Sequence, residues 1–336
     1  MRKIIRLLAF FAGGLAATAT SRAADTQVLE SIQTIPLDGV EGRIDHMAID
    51  AKIGRLYVAA LGNNTVEVID LNAGRRIDTI KGLEEPQGIA VVPSSHRIVI
   101  ASGQDNKCRI YDRSLKLVAQ IDDLEDADNV RYNAKTGQAI VGYGHGALAF
   151  IDPESGTKTT EIKLDGHPES FQIGEDGNRV FVNVPGAGHV AVVDCAKGTV
   201  SAKWAPVGAK KNFPMALDET DHRLFIGCRL PPKLLVLDTD SGRTVASLDI
   251  VGNTDDVFYD RALNRIYVSG ARGGVSVIQR SDGDQYRMLV TVPVGDGAQT
   301  TFFVAETGRL YVAIPHRGSQ AAHIAVFATN APSSNP

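Results

Sequence analysis

Arg55-Leu-Tyr-Val-Ala-Ala60, Asn63-Asn-Thr-Val-Glu-Val-Ile-Asp70 and Arg75-Arg-Ile-Asp-Thr-Ile-Lys81 read as consecutive short strands, and His46-Met-Ala-Ile-Asp50 supplies one more ahead of them. The arginine followed by three apolar residues returns as Arg97-Ile-Val-Ile, Arg179-Val-Phe-Val, Arg223-Leu-Phe-Ile, Arg265-Ile-Tyr-Val and Arg309-Leu-Tyr-Val, with Gln138-Ala-Ile-Val in the third slot. Successive copies are 42, 41, 41, 44, 42 and 44 residues apart. A second marker recurs as Asp70-x-x-x-Gly74, Asp152-x-x-x-Gly156, Asp194-x-x-x-Gly198 and Asp238-x-x-x-Gly242. Aspartate starts a turn by hydrogen-bonding to the backbone ahead of it, and glycine supplies positive φ. The arginines and aspartates should therefore lie at one edge of each unit, where they can pair within or between units.

Four short strands in a unit of this length, repeated seven times, specify a seven-bladed β-propeller, an all-β fold. Solenoids of similar period carry helices, and no convincing 3.6-residue apolar stripe is present. Inner segments such as Leu56-Tyr-Val-Ala-Ala60 are continuously apolar, as expected where neighbouring blades cover both faces of a sheet. The last unit ends after Arg309–Ile314 and Ala322–Ala328, one strand short, while Gln27–Ile35 precedes the first unit. Gln27–Ile35 should complete the seventh blade and remove the exposed sheet edges. A single domain over residues 24–328 and a loose tail over 329–336 follow.

The chain has 336 residues, with 43% apolar, 22% charged and 6% aromatic residues. Arg2, Lys3 and Arg6, the apolar run Leu7 to Ala17 and the small-x-small site Ser21-Arg22-Ala23 make residues 1–23 a cleavable secretory signal. The run is shorter than the roughly 20 residues a spanning helix needs, and no later stretch is long and apolar enough. Cleavage after Ala23 leaves 31 basic against 39 acidic residues, a net charge of −8. Periplasmic or secreted localisation is expected, without nucleic-acid partners, since a basic surface drives that binding. Cys108, Cys195 and Cys228 could pair in an oxidising compartment, but they lie in or beside strand-like runs and read first as small buried hydrophobes. Without Cys-x-x-Cys-His there is no covalent haem, and a single tryptophan, Trp204, argues against a quinoprotein.

Leu56-Tyr-Val-Ala-Ala60, Asn63-Asn-Thr-Val-Glu-Val-Ile-Asp70 and Glu85-Pro-Gln-Gly88 resemble the YVTN-type repeat β-propeller family, whose pattern is Tyr-Val-Thr-Asn, Asn-Thr-Val-x-Val-Ile-Asp, then Pro-x-Gly. The resemblance spans residues 27–328. Ala59-Ala60 replaces Thr-Asn, and the other blades match more loosely. It implies an exported or surface-bound seven-bladed propeller, in most cases a binding module.

Residues common to every unit serve the fold; those that differ at equivalent positions are candidates for function. The lead-ins to the innermost strands are Asp45-His46, Pro86-Gln87, Asp128-Asn129, Glu169-Ser170, Phe213-Pro214, Asp255-Asp256 and Gln299-Thr300. Propeller geometry gathers them around the mouth of the central channel. These polar residues either bond to nearby backbone in turns or form an oxygen-rich site in which Asp128, Asn129, Glu169 and Asp256 hold calcium or magnesium. The same face receives loops carrying Asn63-Asn64, His145, His189, Arg229, Lys233, Arg272 and His316-Arg317. Asp45, His46, Gln87, Asn129, Ser170, Arg229, Arg272, His316 and Arg317 are accordingly the candidate ligand-binding residues. Asp122-Asp-Leu-Glu-Asp-Ala-Asp128 lacks the glycine and distal glutamate of a calcium loop and reads as a solvated loop. Gly142-Tyr-Gly-His-Gly146 joins two strands with no helix N-terminus to hold phosphate.

The function expected first is a monomeric exported propeller whose channel mouth binds an unidentified small molecule or a periplasmic or extracellular protein, with no cofactor assigned beyond the calcium or magnesium that the mouth acids could hold. The alternative is a metal-dependent, lactonase-like hydrolase. There, Asp255 or Asp256 would be the general base beside His46, with Glu169 and Asn129 among the metal ligands; it is an analogy of architecture.

Overall fold

A computed structural model describes residues 28–330, nearly all of them in strands and turns. The signal-like segment 1–23 and residues 331–336 lie outside the described residues. Seven separate antiparallel sheets of four strands form the ring. The first blade comprises Met47–Asp50, Arg55–Ala60, Thr65–Asp70 and Arg75–Ile80, as the repeat predicts. The only helical elements among the described residues are two short 3-10 turns, and no helix among them is long and apolar enough to cross a membrane.

The core lies in layers between blades. Tyr57, Ala59, Val66 and Val68 of the first blade pack against Ile89, Ile98 and Ile100 of the second. Equivalent apolar layers fill the other six junctions, including the one between the seventh blade and the first. Second strands are buried along almost their whole length, whereas fourth strands such as Thr157–Lys163 face solvent. Cys108 and Cys228 are buried in two different layers and Cys195 packs against a third, so none lies beside another.

The ring closes as expected. Leu29–Pro36 pairs antiparallel with His323–Thr329, Leu29 opposite Thr329 and Pro36 opposite His323. Thr329, placed in the tail by the sequence pattern, is still part of that strand.

The recurring arginine and aspartate share one edge, but they work on different partners. Each aspartate caps its own turn: Asp70 Oδ1 accepts from the Asn72 and Ala73 N–H groups, both at 2.9 Å, and Asp152 and Asp238 do likewise. The turns close on glycines at positive φ, such as Gly74 at 62°. Five of the six arginines reach into the following blade. Arg55 donates to the Arg113 carbonyl at 2.9 Å, Arg97 to those of Pro153 and Glu154 at 2.5 and 2.7 Å, and Arg179 to that of Thr239 at 3.2 Å. Only Arg223 pairs with its own blade's aspartate, Asp238 at 3.1 Å, while forking onto Asp284 of the next blade at 2.6 and 2.9 Å.

Two outcomes follow from these contacts. Arg223→Ala should cost about 1–2 kcal/mol in urea unfolding, because it removes a two-pronged, partly buried ion pair between blades; Arg55→Ala, losing one hydrogen bond, should cost about 1 kcal/mol or less. Deleting residues 28–36 should leave His323–Thr329 as an open edge. Size-exclusion chromatography should then show association, and thermal unfolding should shift down by several degrees.

Candidate functional site

Seven inner strands begin around the channel mouth, and three of them begin with a register irregularity. Pairing shifts between Pro86 and Ile89, between Asn212 and Met215, and between Thr254 and Asp256. A bulge re-aims side chains next to it, and here Gln87, Phe213 and Asp255 are the residues set free of the ladder.

Arg43, Asp45, His46, Asp128, Asn129, Glu169, Ser170, Phe213 and Asp255 line a cavity of about 20 Å³ at the mouth. Arg43 Nη2 donates to Asp45 Oδ2 at 2.8 Å. The Arg229 guanidinium lies 3.6 Å from the Phe213 ring centroid, donates through Nε to the Thr254 carbonyl at 2.8 Å and pairs through Nη2 with Asp255. His46 stands in the middle: Nε2 is 3.7 Å from Asp128 Oδ1 and 3.8 Å from Asp45 Oδ1, and Nδ1 is 3.9 Å from Asp256 Oδ1. These are electrostatic contacts and too long for hydrogen bonds. His167 Nε2 approaches Asp128 Oδ2 at 3.9 Å while its Nδ1 meets the Gly144 carbonyl at 2.7 Å. Asp256 accepts the Thr301 N–H at 2.7 Å.

So many charges out of water push the titrations apart. Burial, helped by Asp128, raises the Glu169 carboxyl to about 8. Burial raises Asp45 to about 6 even though Arg43 pulls it down. Asp256 is driven well above the usual carboxylate range by burial and by Asp255. Burial lowers His46, leaving a neutral imidazole near pH 7. Burial opposes charge on His167 too, but Asp128 and the Gly144 carbonyl overcome it and hold His167 up to about 9. Asp128 stays below its ordinary value, since His167, His46 and Arg43 outweigh its burial.

Two acceptors remain unserved. Asp128 is 9% exposed and Asn129 2%, and neither Asp128 Oδ1 nor Asn129 Oδ1 has a hydrogen-bond partner. A buried, unpaired polar atom costs about 1–3 kcal/mol, so these two oxygens mark a place for a donor.

The mouth thus gathers Asp45, His46, Asp128, Asn129, Glu169, Ser170 and Asp255, with Asp256 behind His46 and Arg229 bound to Asp255. It leaves out other candidates. Gln87 lies over Gly103, where a Cβ would come within 2.3 Å of its amide nitrogen. Arg272 borders a separate groove with Pro293 and Gly295. His316 pairs with Glu41 at 2.7 Å, and Arg317 covers Gly297; both line a side pocket of about 270 Å³ that shares Arg43 with the mouth. Among the described residues no three His, Cys, Asp or Glu side chains come together as a metal-holding group; Asp128 and Asp256 contact opposite ring nitrogens of His46. The run Asp122–Asp128 is solvated only in part, since Leu124 and Ala127 are buried and Asp128 turns into the mouth.

Sequence reading passed over Arg43, Arg131 and His167. Arg43 and His167 precede lead-in residues by two positions, outside the pairs compared across blades. Arg131 sits inside an inner strand, and aligning the blades on the Arg-x-x-x marker would have exposed it. Below His46 the channel widens to a chamber of about 380 Å³ with Arg131 in its wall.

No family model and no curated protein matches the sequence. Solved structures do. A chain of "Kuenenia stuttgartiensis Hydrazine Synthase" is similar with a TM-score of 0.72 at 14% identity, covering 83% of this chain and 95% of that one. A chain of "Crystal Structure of Mitotic Checkpoint Complex" is similar with a TM-score of 0.78 at 13% identity, covering 97% of this chain and 99% of that one. At such identities the likeness is one of fold, the seven-bladed propeller.

Proposed function

We propose that the protein is an exported, YVTN-type binding propeller whose channel mouth receives the positively charged or hydrogen-bond-donating head of a small molecule or partner chain. The observation that carries this reading is the pair of buried acceptors, Asp128 Oδ1 and Asn129 Oδ1, left without partners in a cavity shared with Glu169. Export rests on the pattern of residues 1–23, and the family on the motifs of the first blade. A cavity of about 20 Å³ has room for one water-sized group, so the body of the ligand lies outside it, in the funnel or in the side pocket that shares Arg43. Calcium takes six to eight oxygens. The cavity offers few that are free and places Arg43 beside them, which suits a singly charged ammonium better than a divalent ion.

Ethanolamine, propylamine, calcium and magnesium should be titrated while thermal unfolding and heat of binding are followed. An ammonium probe should bind wild type and bind Asp128→Asn/Glu169→Gln at least about tenfold more weakly. Calcium binding lost in the same variant would replace the ammonium reading with the metal one, and no binding by any probe would remove this function from the mouth. An ammonium needs Glu169 ionised, so its affinity should climb between pH 6.5 and 8.5 in wild type and stay flat in Glu169→Gln.

The ligand-free protein should carry a matching stability signature. Glu169 and His167 both have folded-state values raised, to about 8 and about 9. The folded chain therefore keeps protons that the unfolded chain has released, and stability declines as pH rises toward 9. Thermal melts from pH 6 to 9 should fall in wild type and fall less in Glu169→Gln; equal slopes would show that Glu169 titrates normally.

A further inference from the structure

Position for position, the blades place one residue each at the same level of the channel wall, two residues beyond the start of the facing second-strand marker. Ala48 opposes Tyr57, Ala90 opposes Val99, and Ala216 opposes Phe225. In the third and fourth blades the equivalent residues are Arg131, opposite Ile140, and Gln172, opposite Phe181. In the sixth and seventh they are Phe258, opposite Tyr267, and Phe302, opposite Tyr311. All seven line the chamber. Because consecutive blades are neighbours around a ring of seven, the third blade faces the gap between the sixth and seventh. Arg131 thus stands across the channel from the Phe258–Phe302 pair, whose ring centroids are 5.7 Å apart at 64°, and the three alanines leave the space between open.

Arg131 lies over the Phe171 ring, 5.8 Å from its centroid, but its hydrogen-bonding fork is poorly served by the protein. Its one hydrogen bond goes to the neighbouring Val130 carbonyl at 2.9 Å, and no carboxylate among the described residues lies within 4 Å of it. Burial pulls its pKa below the usual guanidinium value, with Asp256 and Asp128 only partly offsetting that. Gln172 is held in place by its amide donating to the Met215 carbonyl at 2.9 Å. A guanidinium has five donors in a planar fork matched to a carboxylate, and four of these donors have no protein partner.

We propose that the axial chamber is a second binding site, separate from the mouth, for a small carboxylate with an aromatic or apolar body. The carboxylate pairs with the Arg131 fork, and the body packs against Phe258 and Phe302. A volume of about 380 Å³ lies within the range of small-molecule sites. The two cavities share His46 and Ser170 in their walls, but Arg131, Phe258 and Phe302, which make this contact, line the chamber and not the mouth cavity.

Benzoate and its neutral counterpart benzamide test this on the full mature protein, by saturation-transfer NMR and isothermal titration, with hexanoate as an aliphatic probe. Benzoate or hexanoate should bind wild type at millimolar concentration or below, with benzamide at least about tenfold weaker. Arg131→Gln, with its fold checked by circular dichroism, should lose at least about tenfold in carboxylate affinity, and Arg131→Lys should keep part of it. Phe302→Ala should weaken benzoate. The mouth variant Asp128→Asn/Glu169→Gln should bind benzoate at least as tightly as wild type, because it removes a negative charge that acts on Arg131 and none of the chamber's own contacts, so that failure of the mouth reading leaves this one standing. Failure of both carboxylates to bind at 10 mM, equal binding of benzoate and benzamide, or an affinity unchanged in Arg131→Gln would each overturn the proposal.

Discussion

Every blade depends on having a neighbour against each face. A four-stranded sheet whose middle strands are apolar on both sides has no stable place in water alone, and here each such face is buried in a layer shared with the next blade. Seven layers must all be filled, so the first and last blades must meet. The pairing of Leu29–Pro36 with His323–Thr329 fastens that meeting with a hydrogen-bonded ladder, because the two ends of the described chain build one sheet. Arginines on one edge add ties that each run to the following blade, and the aspartate-capped turns present the carbonyls that receive them. The fold is thus a set of local units whose stability is held in their junctions.

Closing the ring has an electrostatic consequence. Lead-ins that are about 40 residues apart in the chain are driven to a common axis, and there the acids of four blades crowd together. Water is largely excluded, so the charges must be answered by one another or by protons. Arg43 and Arg229 answer Asp45 and Asp255 directly. Glu169 and Asp256 find no such partner and move toward the protonated state. His46, neutral and in hydrogen-bond range of none of them, divides this crowded mouth from a wider chamber below. The axis is thus acidic and tight above and wider beneath, where Arg131, Gln172 and Asp256 share the wall with apolar side chains.

Much of this was legible in the residues. The boundaries of the first blade follow from its alternating markers to within a residue, and the closing strand follows from a last unit that stops short. The gathering of Asp45, His46, Asp128, Glu169 and Asp255 at one mouth follows from repeat phase alone. The partnerships do not. The recurring arginine and aspartate lie opposite each other in register, as Arg55 and Asp70 do, yet the arginine prefers the next blade's turn. Gln87, Arg272, His316 and Arg317 share a face with the mouth but stand away from it.

The sequence by itself determined the number of blades, their order, the face on which the varied residues lie and the strand that closes the ring, because those depend on period and on apolar pattern, both local to each unit. Tertiary structure decided which acids are paired, which keep a proton and which buried oxygens lack a donor. It also set Arg131 across the channel from Phe258 and Phe302. These are distances between side chains of different blades and the loss of water around them, and neither quantity exists until seven units have closed on one axis.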